Sequence, residues 1–521
     1  MFKCKQLLRR ICVVSYVFLL CGGLVNASNL VSKTNTLIGT QGNGWASGYL
    51  YPGATYPFGM VQFTPTYFTK QLGFVINQLS GAGCDHMGNF PTLPIAGALR
   101  VSPDSILNMQ TPVGKEIGTA GYYAATVDHS IRAELTVTER TGMARYTFSS
   151  KEKQGTVIIG GGVAATPIQV AAIKITGPHS CEGYAEGGAF CGIPTPYKVY
   201  FVAEFDADAE SFGTWKEERL HANHTFAEGS HSGVYFTFPL KEGNQAVQYK
   251  IGVSYVSVEN ARENLRVENP AWDFSAVRQA TQDKWNEYLG KIEVEGDNED
   301  RQMQFYTHLY RSLIHPNVCS DVNGEYMGAD SQVHKTARKF YTSFSNWDTY
   351  RTQTALIAML APEETSDIVM SHYLFAEQSG GGFPRWVLAN IETGVMQGDP
   401  TPILVANAYA FGARTYDPRT LLRTMRYGAE VPGANSQGVL TRPGLEQYLE
   451  KGYYDASILL EYTSSDFAIG RFALQACNDE PVCNWYTQRA MNWKNLFNKE
   501  TGWLQSRNED GSWKRYDADW R

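Results

Sequence analysis

The sequence predicts a two-domain protein, an N-terminal β-sandwich followed by an all-α toroid. Three observations carry this. The 521 residues are too many for one ordinary domain. Residues 28 to about 268 read as short β-branched and aromatic runs separated by Gly-rich breaks. From Asn269-Pro270 onward the apolar spacing turns helical. With 43% hydrophobic and 19% charged residues, the chain is globular rather than disordered.

The first 27 residues read as a secretory signal peptide. Lys3, Lys5, Arg9 and Arg10 form a basic start, Ile11 to Leu20 an apolar run, and Val25-Asn26-Ala27 a small-residue cleavage site. The expected location is secreted or periplasmic, with a lipid anchor on Cys21 as the lesser alternative. No other apolar run is long enough to span a bilayer. The whole chain holds 45 basic and 52 acidic residues, a formal charge of −7; without the four basic residues of the leader it is −11. That balance argues against nucleic acid as the partner. Three of nine cysteines, Cys4, Cys12 and Cys21, lie in the leader. The close pairs Cys181/Cys191 and Cys477/Cys483 are expected to form local disulfides in an oxidising compartment, and no CxxC or HExxH zinc spacing occurs.

Residues 28–268 form the expected sandwich. Ile131 to Phe148 alternates and breaks at Thr141-Gly142; Tyr197 to Phe205 and Tyr249 to Val258 are further strands, and Gly160-Gly161-Gly162 separates others. Many short strands with turn signals predict two packed sheets. Residues 269–297 read as a helical linker in which Phe274, Val277, Thr281, Trp285 and Tyr288 share one face. Residues 298–521 are expected to hold serial helices over Gln304 to Leu313, Asp348 to Leu360, Thr401 to Gly412, Ser457 to Gln475 and Trp485 to Phe497.

Several stretches carry candidate chemistry. The 30 Tyr, 25 Phe and 11 Trp serve either core packing or stacking on the apolar faces of pyranose rings. Gly39 to Pro65 is Gly-rich, but no GK[ST] follows, which argues against a phosphate loop. Cys84, Asp85 and His86 lie in "NQLSGAGCDHMGNFPTLP"; a lone run of this kind reads more readily as structural than as a metal site or nucleophile. "YTSFSNWDTYRTQ" places Trp347 and Asp348 at a helix start, where Asp348 is either a cap or dipole partner, or a carboxylate gripping two sugar hydroxyls beside a stacking indole. "GGGFPRWVLANIETGVMQGDP" offers Arg385, Trp386 and Asp399 on a loop, where sugar sites usually sit.

These segments resemble glycoside hydrolase family 92, the calcium-dependent, inverting exo-α-mannosidases. The resemblance rests on "YPGATYPFGMVQFTP", "LSGAGC", "AELTVTERTGMARYTF", "FYTHLYRSLIHPNV", "FSNWDTYRTQ", "PRWVLANIETGVMQGD", "LLEYTSSDFAI" and "WKNLFNKETGWLQSRNEDGSW", which run in family order from Tyr51 to Trp513. It implies a β-sandwich followed by an (α/α)6 barrel, release of terminal α-D-mannose from glycans or glycoproteins, and a calcium ion whose ligands are not assigned. It implies Trp347 and Asp348 as grips in the −1 subsite, with Arg385, Trp386 and Asp399 as further candidates, and Trp45 and His86 on the +1 side. Trp45, Asn77 and Gln78 stand where the family often carries histidines, which bears on linkage preference. The family's general acid, a Glu after "DGSW", and its base, an Asp in a later Gly-Asn-Asp-Asp-like segment, have no counterpart before Arg521. The barrel is therefore expected to be incomplete and the 521 residues alone inactive. Alternatives from other classes are another (α/α)6 glycosidase or phosphorylase, and a non-catalytic carbohydrate-binding protein.

Overall fold

The protein is described here by a computed structural model, which describes residues 29–40, 49–65, 73–104, 113–242 and 245–515. The leader and Trp45 lie outside these residues. Two antiparallel sheets face each other. The smaller has eight strands, in the order Ala54–Thr55, Gln62–Pro65, Phe74–Val75, Thr92–Ala96, Gln154–Gly160, Ser232–Pro239, Ser211–Lys216 and Arg219–Ala222. The larger has nine, in the order Phe226–Glu228, Ile168–Gly177, Ser180–Phe190, Ile193–Phe205, Ala246–Ser254, Thr141–Thr147, Ile131–Val137, Tyr122–Val127 and Val113–Thr119. The β-branched and aromatic strand residues meet between the sheets, where Phe205 packs on Phe236 with ring centroids 5.0 Å apart.

The hairpin expected to break at Thr141-Gly142 turns earlier. Val137 pairs with Gly142, so Gly142 is a strand residue. It is glycine because a Cβ there would sit 2.9 Å from the Phe63 ring of the facing sheet. The strand expected to run on to Val258 ends at Ser254, and a helix, Val258–Glu268, starts inside the stretch assigned to the sandwich. Ser257 caps it by accepting from the Asn260 N–H. The helix lies directly on the larger sheet, where a Cβ on Gly252 would meet the Ala261 carbonyl at 2.3 Å.

In helix Phe274–Leu289 the anticipated face is the one that packs: Phe274, Thr281, Trp285 and Tyr288 are buried. Its Trp285 indole donates to the Thr55 carbonyl at 2.7 Å, and its Asn286 accepts from the Val31 N–H at 3.0 Å, so N-terminal residues of the chain are bound to it. Serial helices follow: Glu299–Ser312, Gln353–Leu360, Pro362–Ser379, Thr401–Ala410, Pro418–Glu430, Leu445–Lys451, Ala456–Cys477 and Glu480–Ala490. The long Ala456–Cys477 helix packs against Thr401–Ala410, Pro418–Glu430 and Glu480–Ala490. It leaves Phe467 exposed, and Trp485 and Trp493 just beyond it are exposed as well. No helix among the described residues is long and apolar enough to cross a membrane.

The cysteines pair differently from expectation. The disulfide joins Cys84 to Cys191, 107 positions apart, and Cys181, Cys319, Cys477 and Cys483 are free and buried. Cys181 and Cys191 stand at opposite ends of one extended strand, Ser180–Phe190, and its turn. At about 3.3 Å per residue they are roughly 30 Å apart. Cys477 closes one helix, the left-handed Asn478 turns the chain, and Cys483 faces along its own helix toward Thr487.

Candidate active site

Between the sandwich and the helices lies a cavity of about 700 Å³. Its helical side comes from a local arrangement that the sequence builds at Phe344-Ser345. This short strand pairs with Trp386-Val387, which in turn pairs with Ile391–Glu392. Buried Glu392 completes the turn: its carboxylate accepts from the backbone N–H groups of Arg385, Trp386 and Gly394. Burial raises its pKa, and those N–H groups offset part of the rise.

Ser345 then opens a one-turn helix, Asn346–Thr349, with Asp348 in its first turn. Asp348 is not the cap residue; its carboxylate accepts from the Ser345 hydroxyl. It lines the cavity, is exposed, and is the one carboxylate among the described lining residues. Ser343, Ser345, Thr349, Thr352 and Gln353 surround it with hydroxyl and amide groups. This is a polar wall suited to sugar hydroxyls.

Of the other expected residues, Trp386 also lines the cavity. It is buried and stacks on Phe190 of the sandwich, with centroids 4.1 Å apart and planes 27° apart. Trp347, Arg385, Asp399 and His86 are not among the lining residues. The Trp347 indole donates to Glu461 at 3.0 Å, and the Arg351 guanidinium covers its ring at 4.5 Å. Arg385 donates to the carbonyls of Gly398, Met396 and Leu440, so its guanidinium holds loops together. Asp399 belongs to a buried ion cluster. Arg442 bridges Asp399 at 2.8 Å and Asp466 at 2.7 Å, and Arg489 also grips Asp466. Burial pushes the Asp399 carboxyl up despite Arg442. At Asp466 burial acts in the same direction, but Arg442 and Arg489 together hold it below the usual carboxylate range.

His86 is fully buried. One ring nitrogen bonds the Cys84 carbonyl at 2.6 Å and the other accepts from the Leu79 N–H at 2.8 Å. His315 does the same from the helical side: it accepts from the Ser80 N–H at 2.9 Å and its other nitrogen faces Asn317 at 2.6 Å. Burial lowers both rings to about 4, so both are neutral at pH 7. Two neutral histidines and the Cys84–Cys191 bond thus hold the loop 79–86 that forms the sandwich side of the cavity.

Glu461 escaped the sequence reading. Besides the Trp347 indole it accepts from the Tyr350 hydroxyl at 3.4 Å and stands 3.8 Å from Arg351. A carboxylate inside the apolar run Leu459-Leu460-Glu461-Tyr462 was the available signal. For calcium, which takes six to eight oxygen ligands, the described residues hold no group of three or more His, Cys, Asp or Glu placed to bind a metal.

The model of the glycosyl hydrolase family 92 N-terminal domain matches residues 34–254, and that of the glycosyl hydrolase family 92 catalytic domain matches residues 260–521. A secreted glycosidase of Arthroderma benhamiae is 25% identical over 93% of this chain and 66% of its own length. The chain thus spans just under two thirds of that curated relative. A family GH92 α-mannosidase of Bacteroides thetaiotaomicron superposes with a TM-score of 0.85 at 24% identity, over 94% of this chain and 68% of its own. A family GH92 inverting mannosidase of the same organism gives 0.84 at 25% identity, over the same shares.

Proposed function

The chain belongs to glycosyl hydrolase family 92, and from that premise we propose that the whole protein hydrolyses terminal α-D-mannosides of glycans or glycoproteins with inversion. The observation that carries the reading is Asp348, a lone exposed carboxylate on a polar wall of the large cavity. Inverting hydrolysis needs two further functions, an acid that protonates the leaving oxygen and a base that activates water from the opposite face, with carboxyl groups roughly 6.5–9.5 Å apart. With no second carboxylate among the described lining residues, Asp348 is assigned to binding, and the proton-transfer pair to none of these residues. As a carboxylate it accepts from two neighbouring sugar hydroxyls, and its bond from Ser345 fixes its rotamer. Trp386, braced by Phe190, offers an apolar edge to the ring. Trp347, Arg385 and Asp399 act behind this wall by holding its loops. Calcium belongs to the reading through the family; no step here runs through it. The leader read from the sequence supports a secreted or periplasmic location.

The test is release of mannose by the full-length protein from α-linked mannobioses with calcium present, followed by NMR so that the first anomer formed is seen. β-Mannose appearing first supports the reading. Glucose from other disaccharides, without mannose, overturns it in favour of another (α/α)6 glycosidase, and binding without release in favour of a carbohydrate-binding protein.

A further inference from the structure

We infer that the Cys84–Cys191 disulfide is a positioning device for the leaving-group side of the cavity, so that substrate selectivity responds to thiol redox state. The inference rests on the mannoside reading above.

The two sides of the cavity differ in chemistry. Asp348, Ser345, Thr349, Thr352 and Gln353, all from the helical part, supply hydroxyl, amide and carboxylate groups. The sandwich side is formed by Leu79 to Cys84 and by Phe190 and Cys191, mostly apolar atoms and backbone. A sugar gripped through its hydroxyls lies on the first side. The group it is linked to then meets the second, which selects by shape.

That second side has no secondary structure of its own over residues 77–83. His86 and His315 tie its start through the Leu79 and Ser80 N–H groups. The Gly81 N–H adds a bond to the Tyr49 carbonyl at 2.8 Å; the covalent tie to the neighbouring turn is the disulfide, which joins the loop of the smaller sheet to the end of a hairpin of the larger one. The residue before Cys191 is Phe190, the one that stacks on Trp386. The disulfide is therefore the covalent link, beside the edge-on packing of the His86 ring on Phe190 at 6.3 Å, that sets the distance between the loop and the aromatic pair. Cys191 is exposed and Cys84 half-buried, and both line the cavity, so a small dithiol reaches the bond. Reduction transfers two electrons and two protons from the dithiol, leaving two cysteine thiols and a cyclic disulfide on the reagent.

The experiment compares two substrates on the oxidised full-length protein, the same protein treated with dithiol, and its Cys84→Ser/Cys191→Ser variant. An α-linked mannobiose uses both sides of the cavity; α-mannosyl fluoride has a single-atom leaving group. The ratio of kcat/KM for the disaccharide to that for the fluoride should fall at least fivefold on reduction and in the variant, mainly through KM. Reoxidation of the wild-type protein should restore it, and dithiol should not change the variant. A ratio constant within twofold overturns the inference. Amide hydrogen exchange on the same samples reads the positioning without activity. Faster exchange confined to residues 79–86 and 187–192 supports it, and faster exchange throughout the sandwich, or none, overturns it. If neither substrate is hydrolysed by the oxidised full-length protein, the mannoside reading fails, and exchange still decides whether the bond holds the loop.

Discussion

The indole of Trp347 donates to Glu461 at 3.0 Å across 114 positions of chain. Trp347 precedes Asp348, so this bond ties the long Ala456–Cys477 helix to the residue that faces the cavity. Replacing Glu461 by Gln keeps an acceptor and removes only the partly exposed pairing with Arg351; it should cost under about 1 kcal/mol. Glu461→Ala leaves the indole N–H and the Tyr350 hydroxyl unpaired and should cost about 1–3 kcal/mol. Urea unfolding of both variants checks the order.

In the full-length enzyme, Asp348→Asn should lower kcat/KM on α-mannosides by about 10- to 100-fold, the loss of a charged acceptor. Asp348→Ala should lower it further. If the carboxylate served only the helix dipole of its one-turn helix, activity would stay and stability would drop by about 0.3–1 kcal/mol. Kinetics and thermal melting on the same samples separate the two.

Acid should destabilise the fold well above the pH at which carboxylates protonate. Burial lowers His86, His315 and His372 from 6.5 to about 4 in the folded state. Between pH 6.5 and 4 the unfolded chain therefore binds protons that the folded chain does not, and stability falls as the pH falls through that window. A shift of this size is worth about 3 kcal/mol per ring when the window is fully crossed. The melting temperature should decline steadily from pH 7 to pH 4. His315→Gln, which keeps an acceptor for the Ser80 N–H, should make the decline shallower; an unchanged slope would remove His315 from the account.

The cluster around Arg442 should be the least tolerant point of the helical part. Its side chain and that of Asp466 are fully buried. Arg442→Met strands Asp399 and Asp466 as buried carboxylates with fewer partners and should cost about 3–5 kcal/mol. The double change Arg442→Met/Asp399→Leu should cost less than Arg442→Met alone, which chemical denaturation of the two proteins tests.

Periodicity revealed what depends on periodicity. The sandwich, the buried face of Phe274 to Tyr288 and the onset of helices were legible because one-sided burial writes itself into spacing. Helices Pro362–Ser379 and Pro418–Glu430 were missed because each begins with a proline, which reads as a break yet fits the first helical turn, where no N–H is needed. In the site, Asp348 was placed on the cavity by its own local motif. Trp347 was expected to stack on sugar, and its N–H bond to Glu461 is a contact that no local pattern reveals. The disulfide was misread for the same reason: nearness in sequence is a poor guide when one cysteine lies along a strand and the other at its turn.

The bond from the Val31 N–H to Asn286 spans 255 positions. At about 5–20 residues per second, a ribosome needs roughly 13–50 s to add that length of chain. Residues 29–40 leave the ribosome ahead of the rest of the described chain, yet helix Phe274–Leu289, which holds them, is made much later. During synthesis the Leu30 and Val31 side chains, both buried in the finished protein, have no docking place for most of that interval. Docking of these N-terminal residues is therefore a late event, set by when helix Phe274–Leu289 becomes available rather than by when they themselves are made.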